Sequence, residues 1–207
     1  MELAEVRRKR RMVRRYDPGT PVPEDTLQRI LDAGLRVPSA GFTQGVSLLV
    51  LDGSDKERYW AITTDPEAAP DRWLTGMRTA PVLIIVWTDP AGYLDRYAEP
   101  DKGWSDRDPT RWTAPYWYVD AGMAARARLC AAVDEGLGAC FFGVPPDRIK
   151  PVRVAYGVPE HHELVGVVSL GHPAGVAARS RRSRRPADEL IHRGHWAAPN
   201  NNEKRIS

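Results

Sequence analysis

The longest uninterrupted apolar run, residues 82–87, limits what this chain can fold into. Its six residues are too few for a membrane-spanning helix, which needs about 20 apolar residues, but they suit a buried β-strand. The chain of 207 residues is long enough for one substantial domain, with or without arms. We therefore expect a single domain over residues 1–207 that does not enter a membrane.

Two sequence features bear on the cellular compartment. The charged N-terminus lacks an apolar segment followed by a cleavage site, so no secretory signal is predicted. The two cysteines, Cys130 and Cys140, do not resemble a disulfide framework. We therefore expect a cytoplasmic protein, because reduced thiols are typical of the cytosol.

Apolar periodicity predicts helices that alternate with a few strands. Pro23, Glu24 and Asp25 open one helix, because proline and acidic side chains suit a first helical turn. Further helices are predicted over residues 2–12, 54–62, 70–78, 116–136 and 187–195. The predicted strands are residues 46–51, 82–87, 139–144 and 164–170. This alternation indicates an α/β or α+β sandwich.

Positive charge is concentrated in two segments, although the net charge is only +3. The first contains Arg7, Arg8, Lys9, Arg10, Arg11, Arg14 and Arg15, and the second contains Arg179, Arg181, Arg182, Arg184 and Arg185. Arginine outnumbers lysine in both, and its planar guanidinium can bind phosphate with two hydrogen bonds. The two segments could converge on one phosphate or follow a nucleic-acid backbone, and the first could also be a solvated basic face.

A loop rich in small residues, residues 38–45, lies between a predicted helix and a predicted strand. Small residues allow a ligand to approach the backbone closely. Ser39 offers a hydroxyl for a ribityl chain or a ring edge, and Gln44 offers a donor and an acceptor that suit a pyrimidine edge. A plain connecting loop is the alternative interpretation.

Two glycine-bounded segments follow later in the chain. The alanine-rich helix ends in Gly136-Leu137-Gly138, and the next strand ends at Gly143, where the backbone near Phe142 could approach a flat ring. The last predicted strand ends in Gly171-His172-Pro173, directly before the second basic segment. Taken singly, these are a helix-to-strand corner and a basic tail.

The order of these motifs resembles the nitroreductase-like flavoprotein family over nearly the whole chain. It runs Arg-Arg-x-x-Arg, Pro-Val-Pro-Glu, Pro-Ser-Ala-Gly-x-x-Gln before a strand, Gly-Leu-Gly after the alanine-rich helix, and Gly-His-Pro before a basic segment. No single motif is specific, but their order and spacing together are.

The resemblance implies an α+β fold, with a central mixed or antiparallel sheet flanked by helices, in a homodimer with extended terminal arms. It also implies an oxidoreductase that binds flavin mononucleotide (FMN) at the subunit interface. Such an enzyme passes hydride between NADH or NADPH and a small, flat acceptor by ping-pong exchange. The flavin performs the redox chemistry, so we name no catalytic residue.

The resemblance also implies which residues bind the cofactor. Those expected at the phosphate are Arg10, Arg11, Arg14, Arg182 and Arg184. Those expected along the flavin, from the partner subunit, are Pro38, Ser39, Gly41 and Gln44. The backbone N–H groups of Phe142 and Gly143 are expected to face the N5 edge.

The chain departs from the family pattern at several positions. Met12 stands where many members have serine, and Phe42 stands where many have asparagine. The Gly41-Phe42 pair is similar to the branch that includes dimethylbenzimidazole synthase, which fragments flavin. That branch has an aspartate at the position of Met12 and a serine near Gly143; this chain has neither, so we do not expect that activity. Polar and basic residues that contact flavin in classical nitroreductases are replaced here by Trp73, Leu74 and Gly76.

A long irregular insertion is predicted over residues 98–115, and a C-terminal arm is predicted around residues 179–207. Trp104, Trp112 and Trp117 could form a lid that selects flat substrates, or could pack on the core as part of a surface loop. The five histidines lack metal-ligand spacing with carboxylates or cysteines, so no metal is expected.

Two other functions stay open from the sequence: an FMN-dependent dehydrogenase in a biosynthetic pathway, and a flavin-binding protein without turnover. The expected partners are a second copy of the chain and a small-molecule substrate. Nucleic acid is not expected as a partner, because one flavin phosphate accounts for both basic segments. A membrane is not expected as a partner, because no apolar stretch is long enough to span a bilayer.

Overall fold

The structure is a computed structural model that describes residues 1–175 and 182–196. The chain divides into two compact units, Met1–Ala177 and Ala178–Ser207. The described part of the second unit contains one short 3₁₀ turn, Ala187–Glu189. The prediction of a helix over residues 187–195 is therefore wrong beyond this turn, since a helix this short is marginal in water without tertiary packing.

The first unit consists of helices on both sides of a sheet. Its helices are α1 (Leu3–Lys9), α2 (Glu24–Leu35), α3 (Gly53–Thr63), α4 (Arg72–Met77), α5 (Pro90–Ala98), α6 (Tyr116–Asp134) and α7 (Pro146–Ala155). Its strands are β1 (Val46–Leu51), β2 (Val82–Thr88), β3 (Gly138–Phe142) and β4 (Glu163–Gly171). No helix in the described parts of the chain has the length and apolar character needed to span a bilayer.

The four strands form one antiparallel sheet in the order β1-β2-β4-β3. All seven residues of β2 are buried, and β2 lies between β1 and β4. Because side chains alternate along a strand, Leu83, Ile85 and Trp87 enter one core cluster, while Ile84 and Val86 enter the other. The apolar run is continuous because both faces of the strand are covered.

Each face of the sheet has its own set of covering helices. On one face, Ile30 of α2 and Leu129 of α6 pack into the core, together with small alanines of α6 that let this helix approach the sheet closely. On the other face, Trp60 of α3, Met77 of α4 and Val152 of α7 pack into the second cluster. The α+β class is therefore correctly predicted.

The predicted first helix, residues 2–12, is too long. Helix α1 ends at Lys9, and the chain continues in an extended conformation. The Val13 N–H donates to the carbonyl of Ala139 at 3.0 Å, and Val13 and Tyr16 are buried in the core. Pairing with the sheet and burial of these two side chains outweigh continuation of a helix with little apolar surface.

Two helices were missed, and both begin at a proline. Pro90 and Pro146 occupy the first turns of α5 and α7. Proline is favourable there because its missing N–H would be unsatisfied in any case. The Asp89-Pro90 pair ends a strand and also starts a helix, and Pro151 inside α7 weakens the helical pattern. Helix α5 ends at Ala98, where the predicted irregular insertion begins.

Candidate functional site

The part of the first basic segment that follows α1 continues as an extended backbone over residues 10–17, beside the sheet. Met12 makes a parallel bridge to Ala139 of β3, and Tyr16 makes an antiparallel bridge to Pro173. The Asp17 N–H donates to the carbonyl of His172 at 2.9 Å. The segment therefore lies next to both Gly-His-Pro and β3, two of the motifs singled out in the sequence.

Arg10 and Arg11 do not lie on a helix, contrary to the prediction of a helix over residues 2–12, because α1 ends at Lys9. Val13 and Tyr16 point into the core, and Arg11, Arg14 and Arg15 are exposed. Arg10 follows α1 directly and is half-buried. The cationic side chains are therefore presented by an extended backbone fixed to the sheet.

The guanidinium groups of Arg11 and Arg14 contact backbone carbonyls of their own segment. Nη1 of Arg11 donates to the carbonyl of Arg8 at 2.7 Å and to that of Arg10 at 2.9 Å, and Nη1 of Arg14 lies 3.5 Å from the carbonyl of Met12. Over residues 1–175 and 182–196, neither guanidinium forms an ion pair with a carboxylate. Positive charges without acidic partners are suited to an anion such as phosphate.

Helix α4 supports the backbone of this segment from the other side. A Cβ at Gly76 would lie 2.2 Å from the carbonyl oxygen of Arg14, so no larger residue fits there without displacing the backbone. The Tyr16 N–H donates to Oγ1 of Thr79 at 2.8 Å. Sequence reasoning missed Gly76 and Thr79 as supports, because their partners lie far away in the sequence.

The predicted loop, residues 38–45, contains a 3₁₀ turn, Ala40–Phe42. Gly41, Phe42 and Gln44 have positive φ angles of 62°, 56° and 56°. The Ser39 hydroxyl oxygen accepts from the Gln44 N–H at 3.0 Å, and the hydroxyl keeps its own proton to donate. Phe42 is 75% exposed, and Pro38 and Gln44 are also exposed, so this loop presents side chains outwards.

At the end of β3, the Phe142 ring is packed against other side chains, whereas the backbone at Gly143 is open to solvent. The Phe142 ring stacks on Trp60, with centroids 5.9 Å apart, and meets Trp73 edge-on at 5.5 Å. Gly143 is exposed, and no atom lies within 4 Å of where its Cβ would be. The Phe142 side chain is therefore occupied by packing, and only the backbone of these two residues is available to a flat ligand.

The three tryptophans predicted as a lid lie in one aromatic cluster. Trp112 is at its centre, with ring-centroid distances of 5.4 Å to Trp104 and 6.2 Å to Trp117. It also lies 4.3 Å from Tyr97 and 6.3 Å from Tyr93, both in α5. All three tryptophans are half-buried. The insertion is thus packed on α5, and its role as a lid stays a prediction.

A polar cleft of about 360 Å³ lies beside the loop. Phe42 and Gln44 line one part of it, and Asp89, Glu99 and His162 line another. Burial lowers the pKa of His162 below its usual value, so its imidazole is neutral at pH 7. The cleft is large enough for a small organic molecule, next to a residue predicted to contact flavin.

Arg182 and Arg184 lie in the second unit and are exposed. Their convergence with the first basic segment stays a prediction, and Arg179 and Arg181 lie outside the described residues. In the described ranges, no group of three or more histidine, cysteine, aspartate or glutamate side chains is arranged to hold a metal ion.

A family model described as "Nitroreductase family" matches residues 8–172 of this chain. The chain belongs to the nitroreductase family. A protein of Methanothermobacter thermautotrophicus, named as a candidate NADH dehydrogenase/NAD(P)H nitroreductase, is 31% identical over 176 residues. That match covers 84% of this chain and 78% of the relative. The predicted family, and with it the predicted oxidoreductase class, is confirmed.

Two solved structures show the same fold. Nitroreductase CinD from Lactococcus lactis, solved with nicotinic acid, has a TM-score of 0.76 and 21% identity, covering 92% of this chain and 99% of that chain. A candidate nitroreductase from Exiguobacterium sibiricum, solved with FMN, has a TM-score of 0.75 and 18% identity, covering 95% and 98%. The nitroreductase-like fold predicted from the motif order is therefore confirmed.

Two departures from the nitroreductase pattern have structural explanations in this chain. Met12 is half-buried and packs against both core clusters, so this position serves the core rather than a polar ligand contact. Gly76 is the residue that allows the basic segment to run close to α4.

We predict that Gly76→Ala destabilises the protein by about 3 kcal/mol, because the added methyl group overlaps a backbone carbonyl that cannot rotate away. Urea unfolding followed by circular dichroism measures this change. Thr75→Ala, at an exposed position of the same helix, is the control and should stay within about 0.5 kcal/mol of the parent. Equal stability of the two variants would show that α4 does not constrain the basic segment.

Proposed function

We propose that this chain is an FMN-dependent oxidoreductase that transfers hydride between NADH or NADPH and a small, flat organic acceptor by a ping-pong mechanism. The observation that carries this proposal is the pair of exposed arginines, Arg11 and Arg14, held without acidic partners on an extended segment beside β3. Cytoplasmic location and a single domain with a lid at residues 98–115 and an arm at residues 179–207 are part of the same proposal.

The residues present fit FMN. Its phosphate carries nearly two negative charges at neutral pH, and Arg11 and Arg14 offer charge-assisted donors for it. The Ser39 hydroxyl and the exposed Gln44 amide match the hydroxyl and pyrimidine groups of a flavin. The open backbone at Gly143 allows a flat ring to approach closely. We assign Arg10, Pro38, Gly41 and Phe142, with Arg182 and Arg184, to the same site.

Bound FMN supplies the hydride chemistry. The residues of this chain bind and orient the cofactor and shape the space beside it. The cleft next to Gln44 provides room for a nicotinamide or an acceptor, and the neutral His162 in its wall adds no positive charge there. A cleft of about 360 Å³ suits a small organic acceptor.

The exposed face of α6 supports a homodimer. Tyr116, Val119 and Met123 lie on one side of the helix at helical spacing and are 38%, 44% and 37% exposed. Gly122 lies beside them, with no atom within 4 Å of where its Cβ would be, so another backbone can approach closely. A continuous apolar stripe on a long helix is typical of a protein–protein contact. In this dimer, the loop at residues 38–45 serves the site of the partner.

We predict that NADH or NADPH bleaches the visible absorbance of the FMN-loaded protein without oxygen, and that a quinone or nitroaromatic acceptor restores it. Anaerobic stopped-flow absorbance with each reactant added alone checks the two half-reactions of a ping-pong exchange. Bleaching by a saturated ring or amide compound, but not by nicotinamides, would favour a biosynthetic dehydrogenase. No bleaching with either reductant would favour a flavin-binding protein without turnover.

We predict that Arg14→Ala weakens FMN binding by about 2 kcal/mol, roughly 30-fold in Kd, because a charge-assisted phosphate contact is lost. Titration of the apoprotein, followed by flavin fluorescence, measures the Kd. Arg58→Ala removes the same charge from an exposed position of α3 and should leave the Kd unchanged. Unchanged FMN affinity in Arg14→Ala would refute the assignment of this arginine to the phosphate.

We predict that Met123→Glu converts the dimer to a monomer, because it places a charge in the apolar stripe of α6. Val154→Glu is the matched control, since Val154 is 72% exposed in an apolar groove on α7. Analytical ultracentrifugation compares the two variants. A dimer that survives Met123→Glu but dissociates with Val154→Glu would place the interface on α7 instead.

A further inference from the structure

The cofactor loop, residues 38–45, has an unfavourable backbone that other parts of the chain must maintain. Phe42 and Gln44 both have φ angles of 56°, in the left-handed region that non-glycine residues rarely adopt. Such conformations cost free energy and persist only when their surroundings fix them. The contacts around the loop therefore show what determines its shape.

Asp120 of α6 fixes the start of the turn. It is 2% exposed, and its Oδ2 accepts from the Ala40 N–H and from the Tyr93 hydroxyl, both at 2.8 Å. Burial raises the pKa of Tyr93 well above its usual value, so its hydroxyl stays protonated and donates. One carboxylate oxygen thus joins the loop to α5 and α6.

Arg96 of α5 fixes the next residue and reaches into the insertion. Its Nε donates to the carbonyl of Gly41 at 2.9 Å. Its Nη1 and Nη2 form a two-bond contact with Asp101, at 2.7 and 2.8 Å. Asp101 lies in the insertion, so the guanidinium connects the insertion to the loop backbone.

The two glycines of the loop rest on aromatic rings. A Cβ at Gly41 would lie 2.7 Å from Cε2 of Tyr97, and one at Gly45 would lie 2.5 Å from Cε2 of Tyr93. Both tyrosine rings also contact Trp112, and Tyr97 lies 4.9 Å from Trp104. The loop backbone thus rests on the two tyrosines of α5, and these tyrosines in turn pack against the tryptophans of the insertion.

We propose that the aromatic insertion is the scaffold that holds the cofactor loop in its binding shape before FMN arrives, with Asp120 and Arg96 as positioning residues. This proposal rests on the proposed function, since it assigns the loop to FMN. An ordered loop loses little conformational entropy when the cofactor binds, so the scaffold increases affinity by a route that is separate from any contact the insertion makes as a lid. The contacts behind the loop then contribute to the Kd for FMN.

Two variants remove the support without altering the loop itself. Trp112→Leu removes the ring that packs against both tyrosines, and Asp101→Asn breaks the exposed ion pair with Arg96. In the apoprotein, both should accelerate hydrogen exchange of the amides in residues 39–45. Both should raise the Kd for FMN, Trp112→Leu by about tenfold or more and Asp101→Asn by a smaller factor.

A second pair of variants tests Asp120 directly. Asp120→Leu removes the acceptor and should weaken FMN binding and accelerate loop exchange. Asp120→Asn keeps one carbonyl oxygen for Ala40 and Tyr93, and should restore both measurements towards the parent. The control is Ile84→Ala, which removes core methyl groups from β2 and should lower the thermal midpoint while leaving the Kd for FMN unchanged. If Asp120 only stabilised the fold, Asp120→Leu would behave like this control and lower the thermal midpoint without changing the Kd.

The outcomes separate this proposal from the proposed function. Parent-like Kd and parent-like loop exchange in Trp112→Leu and Asp101→Asn would overturn the scaffold. A parent protein that binds no FMN would overturn the proposed function. In that case, faster loop exchange in the same variants would still support the scaffold.

Discussion

The buried hydroxyl of Tyr16 fixes the basic segment to the sheet, and the rest of the site depends on this contact. The hydroxyl lies 2.7 Å from the carbonyl of Val13 and 2.7 Å from Oγ of Ser169 in β4. Ser169 in turn lies 3.3 Å from the carbonyl of Cys140 in β3. Because these polar groups satisfy one another inside the core, the segment cannot slide along the sheet without leaving some of them unpaired.

This attachment determines where the charges lie. With Val13 and Tyr16 held in the core, Arg11 and Arg14 must point to solvent beside β3. Elsewhere in the described chain, Arg29 and Arg96 lie against carboxylates that neutralise them. At Arg11 and Arg14, which form no ion pair with a carboxylate of the described residues, the positive charge is available to the phosphate that we propose as the ligand.

The strands were the part of the fold that the sequence predicted best. The bounds of β1 are confirmed, and β2 extends one residue past the prediction, because continuous apolar runs suit strands that are covered on both faces. The end of α1 was missed because its reason lies in Ala139, far along the chain. Helices α5 and α7 were missed because proline can break a helix or begin one.

The site was predictable to the extent that its residues are local in sequence. The loop at residues 38–45 was recognised by its small residues, but its supports were not. Asp120 lies 80 residues from Ala40, and Arg96 lies 55 residues from Gly41. The periodicity of apolar residues predicts helices and strands but not contacts between residues so far apart in the sequence. Met12 and Gly76 looked like departures from a family pattern, whereas the structure gives each a packing role.

The central claim is that arginine side chains recognise the phosphate of FMN, and riboflavin, which lacks that phosphate, tests it directly. Calorimetric titration of the apoprotein with each flavin compares the two affinities under one set of conditions. FMN should bind at least roughly 100-fold more tightly than riboflavin, because riboflavin cannot form the two or more charge-assisted contacts that the phosphate makes. Equal affinity for FMN and riboflavin would contradict the claim.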